Sequence, residues 1–69
     1  MKLVDLIRII DGNEAVVITE ENADGDEKAE PIFKGKMCEY NPPLQDAMKY
    51  DVRWYSRSRY STESRITVV

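Results

Sequence analysis

The stretch RWYSRSRY, residues 53–60, sets Arg53, Arg57 and Arg59 among Trp54, Tyr55 and Tyr60. Guanidinium groups bind phosphates and carboxylates bidentately and stack on aromatic rings. Aromatic rings in turn stack on nucleobases. Arg53, Tyr55, Arg57 and Arg59 therefore form a candidate face for an anionic partner, either a nucleic acid or an acidic protein surface. The opposite charge collects in residues 20–30, which hold six acids and one lysine. Asp24, Asp26 and Glu27 make this a candidate acidic interaction loop, one use of which is to occupy a basic site on another protein. Glu20, Asn22, Asp24, Gly25 and Asp26 imitate the alternating oxygen ligands and central glycine of a calcium loop. The imitation fails at its twelfth position, where Pro31 stands in place of a bidentate glutamate, and at its eighth, where Glu27 replaces an apolar residue. No metal site is expected.

The remaining composition closes off most catalytic chemistry. The chain has no histidine and a single cysteine, Cys38, so neither a Ser-His nor a Cys-His pair can form, and no zinc site can be assembled. Cys38 has no obvious base beside it and reads as a small, semi-buried core residue. The carboxylates that lie close in sequence sit in a polar loop, where burial cannot raise a pKa for acid–base work. The three glycines are isolated, so no phosphate-cradling loop can be written. The expectation is a non-enzymatic protein without cofactors.

These side chains need a scaffold, and the apolar pattern supplies one. Leu3, Leu6, Ile7 and Ile10 fall on one face of a helix over about residues 2–11, with Asp5 and Arg8 opposite. Asp11-Gly12-Asn13 stops it, with Gly12 suited to a left-handed position after a helix end. A hairpin over about residues 14–37 follows. EAVVITE places Val16 and Ile18 on one face, and PIFKGKM returns with Phe33 and Met37 opposed to Lys34 and Lys36. YNPPLQDAMKY reads as a short helix over about residues 42–48, capped by Asn41 and packed through Leu44, Ala47 and Met48. A C-terminal hairpin over about residues 50–69 closes the chain. Period two puts Val52 and Trp54 on the core and Arg53, Tyr55 and Arg57 together on the outside, while Arg59 and Tyr60 enter the turn. The last strand, RITVV, is expected at a sheet edge, with Val17 and Tyr55 on the face away from the helices. The fold class is α+β: one small domain over residues 1–69, helix, hairpin, short helix and hairpin, with a mostly antiparallel sheet.

KLVDLIRIIDGNEAVVITEENADGDE followed by IFKGKM resembles a loose class of small proteins common in bacteriophages and prophages of Gram-positive bacteria. Leu3, Asp5, Leu6, Asp11, Val16, Ile18, Asp24, Gly25 and Gly35 carry the resemblance, which covers the first 37 residues or so. The Arg/Tyr-rich C-terminal half departs from the pattern. The resemblance implies a phage or prophage setting and no particular chemistry.

A chain of 69 residues with net charge −3 makes one domain with a modest core. Asp5 and Arg8 interrupt the first apolar run, so no signal peptide is expected, and no stretch approaches the roughly 20 apolar residues of a membrane span. A cytoplasmic location follows from that pattern and the lone thiol. The functional expectation is an accessory protein acting through protein contacts, with self-association into a homodimer as one form of contact. The alternative is a nucleic-acid-binding accessory factor using the Arg/Tyr face.

Overall fold

The computed structural model of the chain describes residues 1–22, 26, 30–57 and 63–69. Helix α1 spans Leu3–Ile9, strand β1 Ala15–Glu20, strand β2 Phe33–Lys36, helix α2 Leu44–Lys49, strand β3 Val52–Arg57 and strand β4 Glu63–Val68. A single 3₁₀ turn, Met37–Glu39, follows β2. The strands form one mixed sheet in the order β2-β1-β4-β3. Two of its three pairings, β1 with β2 and β3 with β4, are antiparallel, and β1 runs parallel to β4. The α+β class and the mostly antiparallel sheet are as expected.

Directly opposed residues in a sheet share a face. The register aligns Phe33 with Ile18, Ile18 with Ile66, and Val16 with Ser64. Val16, Ile18, Phe33, Ile66 and Val68 are buried on that face beneath Leu3 and Leu6 of α1, Ala47 of α2, and Met37. The molecule therefore has two layers, helices on one side of a sheet. Lys2 and Asp51 tie its ends together, with a backbone bridge and an ion pair of 3.0 Å, and Val52 N–H donates to the Met1 carbonyl at 2.8 Å.

Several expectations change, each for a local reason. The last strand is central rather than at an edge. Ser64, Ile66, Thr67 and Val68 are all buried, as suits a strand with hydrogen-bonded neighbours on both sides. Trp54 is not a core anchor, being 65% exposed. Val52 opposes Val68, but Trp54 opposes Thr67, so two residues of β3 advance against one of β4. This bulge at Arg53 breaks strict alternation and turns each following side chain to the other face. Tyr55 and Arg57 move to the helix side, opposite Ile66 and Ser64, so that pair does not lie on the face away from the helices.

Helix α1 stops at Ile9, and Ile10 is already extended. The stop comes from a turn in which the Asp11 carboxylate accepts the Asn13 N–H at 2.9 Å and the Asp11 carbonyl accepts the Glu14 N–H at 3.0 Å. Gly12 does not have a positive φ; among the described residues only Gly35 does. A Cβ on Gly12 would lie 3.1 Å from the Cys38 Cβ, and close approach is what that site requires. Cys38 itself is exposed rather than semi-buried. In α2 the N-cap is Pro43, not Asn41, and only Ala47 is buried, while Leu44 and Met48 face outward.

Candidate functional site

The arginines singled out in β3 are engaged by acids from neighbouring strands. Glu14, just before β1, shares the parity of Val16 and Ile18 and so points to the helix side. Its carboxylate accepts a hydrogen bond from the Ser64 hydroxyl at 3.0 Å and from the Tyr55 hydroxyl at 3.1 Å, and pairs with Arg57 Nε at 3.2 Å. One side chain thereby bridges β1, β4 and β3. Sequence reading passed over Glu14, although an acid at a strand start in phase with core positions was the available signal. Arg53 Nε lies 3.1 Å from Glu21 Oε2, an ion contact outside hydrogen-bond alignment, and that oxygen is buried without a hydrogen-bond donor. Arg59, Asp24 and Glu27 lie outside the described residues. Asp26 is exposed and closes a small loop, its N–H donating to Asn22 Oδ1 at 3.0 Å and its carbonyl accepting from Asn22 N–H at 2.8 Å.

An open cleft runs between the end of α1 and β3–β4, with Leu6, Ile9 and Ile10 on one wall and Glu14, Tyr55, Arg57 and Ser64 on the other. The polar groups of that second wall bind one another. The arrangement clamps three strands and offers no converging donors to a ligand.

Among the described residues, no helix lies over the opposite face of the sheet. By register, one row across it reads Lys34, Val17, Arg65 and Ser56, and the next reads Thr19, Thr67 and Trp54. Lys36, Ala15 and Glu63 make a third row. Lys34, Lys36 and Arg65 are exposed and have no ion pair among the described residues. By contrast, Lys2, Lys49, Arg53 and Arg57 each have an acid within ion-pair distance. Among the described residues these three rows hold three bases and one acid, Glu63, while the chain as a whole holds thirteen acids and ten bases. This surface is not the candidate face of Arg53, Tyr55, Arg57 and Arg59; of the described residues in that stretch, Trp54 and Ser56 lie in its rows.

Comparison with protein-family models, with curated proteins and with solved structures finds no match for this chain.

Two tyrosines bind protons more tightly than usual. Burial, then a hydrogen bond to Glu20 Oε1 at 3.1 Å, raises the Tyr50 pKa above its ordinary value. Burial, then the nearby Asp46 charge, raises that of Tyr40, which packs edge-on to Phe33 at 5.4 Å. Among the described residues, no group of three or more His, Cys, Asp or Glu side chains converges as a metal site, and no helix is long and apolar enough to cross a membrane.

Proposed function

We propose that this is a non-enzymatic accessory protein that works by contact, docking an anionic partner on the uncovered face of its sheet. One observation carries the reading. Among the described residues four of the eight cations pair with acids, and three of the other four, Lys34, Lys36 and Arg65, lie together unpaired on one surface beside an exposed tryptophan. Three like charges on one surface set up a positive local potential that attracts an anion. Two copies meeting through these faces would oppose three cations with three, which disfavours a two-fold dimer at this surface and favours an acidic occupant. The clamped Glu14 cluster lacks both the unsatisfied groups and the solvent-shielded geometry that catalysis requires.

The test uses a polyanion without sequence or bases. At low salt the protein is expected to be retained on immobilised heparin despite its isoelectric point near 4.8. The Lys34→Glu/Lys36→Glu/Arg65→Glu variant, folded by circular dichroism, is expected to flow through, while Arg8→Glu on α1 is retained. Wild-type protein passing through unretained, or equal retention of the triple variant, would remove the proposal.

A further inference from the structure

Resting on that reading, we infer that the uncovered face binds a short single-stranded nucleic-acid segment, with phosphates on Lys34, Lys36 and Arg65 and one base stacked on Trp54. Size decides against a protein as the main occupant. Four strands about 4.8 Å apart and six residues or fewer long give a surface of only a few hundred Å². A stable protein interface takes about 800 Å² from each partner and centres on buried apolar anchors. The middle of this face offers Val17, Thr19 and Thr67, with its single aromatic side chain at the β3 edge. A single strand asks for less: a positive track along the backbone and an aromatic plane for a base.

The arrangement is suited to single strands because bases inside a duplex cannot reach Trp54. Lys34 and Arg65 stand in one row with β1 between them, so they lie about 10 Å apart, and Lys34 and Lys36 are about 7 Å apart along β2. Phosphates several ångströms apart on an extended strand can meet them in turn. With three phosphate contacts and one stacked base, binding is sequence-tolerant and weak, with Kd on the order of 10⁻⁴ M.

Trp54 is the only tryptophan and therefore reports on its own site. Titrating a ten-nucleotide oligothymidylate at low salt is expected to quench its fluorescence. The binding constant should fall with salt with a log–log slope of about −2, from about −0.7 for each of three phosphates. Trp54→Ala, followed by polarisation of a labelled oligonucleotide, is expected to weaken binding roughly ten-fold, and Trp54→Phe to recover part of the loss. An abasic strand of equal length should bind the wild type as poorly as oligothymidylate binds Trp54→Ala.

Three results would overturn the inference. Equal binding of the abasic strand means a polyanion site without base stacking. An acidic glutamate-rich peptide that binds more tightly than the oligonucleotide means a protein partner. No quenching and no polarisation change, with heparin retention intact, means that the face is real but its occupant is not a single strand.

Discussion

Glu14 gathers a hydroxyl from Tyr55, a hydroxyl from Ser64 and the Arg57 guanidinium on one carboxylate whose side chain is only 13% exposed. The Arg57 side chain is 75% exposed, so its ion pair contributes little. Ser64 is buried, and losing its acceptor leaves a polar group without a partner. Glu14→Ala is therefore expected to cost about 1–3 kcal/mol in urea unfolding, whereas Arg57→Ala should cost about 0–1 kcal/mol. At Gly35 the backbone φ of +149° lies where side chains rarely go, and an added Cβ would also meet the Phe33 ring at 3.4 Å. Gly35→Ala should destabilise by about 1–3 kcal/mol in the same assay. Tyr40 and Tyr50 give a pH signature. Their pKa values are raised in the folded state, so the folded chain keeps protons that the unfolded chain releases as pH climbs past about 10. Their contribution is complete below that pH and is lost as pH rises through the folded values. Denaturant midpoints measured from pH 9 upward should fall with pH, and Tyr50→Phe should make that fall shallower.

At the scale of elements, β3 separates what the sequence could disclose from what it could not. Its extended character, its pairing with β4 and the faces of β1 and β2 all followed from period-two patterning, because strands with one buried face must alternate. So did the α+β class. The bulge did not follow. Nothing in VRWYSR marks Arg53 as the extra residue, and one inserted position moved Trp54 out of the core and Tyr55 and Arg57 to the helix side of the sheet. The central place of β4 was more nearly legible, since RITVV is β-branched on both faces and a strand apolar on both faces belongs inside a sheet. Asp24, Glu27 and Arg59 lie outside the described residues, so what their sequence suggested bears on no contact here. A tryptophan in the core would cost about 3–5 kcal/mol on truncation. Exposed on the open face, Trp54→Ala is expected to cost about 1 kcal/mol or less, whereas Ile66→Ala, buried in β4, should cost about 2–5 kcal/mol. Urea unfolding of the two variants side by side checks the bulge directly.

For the molecule as a whole, a core of nine buried apolar residues among those described implies thin stability, on the order of 0.05–0.15 kcal/mol per residue. A small domain responds strongly to anything that binds only its folded form. A ligand at 100 times its Kd adds about 2.7 kcal/mol. In a chain this short each kcal/mol shifts the melting temperature by about 4–8 °C. The sheet face is assembled from all four strands, with Lys34 and Lys36 from β2, Val17 and Thr19 from β1, Arg65 from β4 and Trp54 from β3. Unfolding scatters those groups along the chain, so a ligand of that face binds the folded state almost exclusively. Saturating oligothymidylate at low salt should therefore raise the melting temperature by about 10 °C or more, a shift that 0.5 M salt should largely erase. The Lys34→Glu/Lys36→Glu/Arg65→Glu variant should melt at the same temperature with and without the oligonucleotide. A wild-type melting temperature unmoved by the oligonucleotide at concentrations that quench Trp54 would mean that the folded and unfolded chains bind it equally and that the assembled face is not the site, and calorimetry in both salts measures the affinity of the folded chain directly.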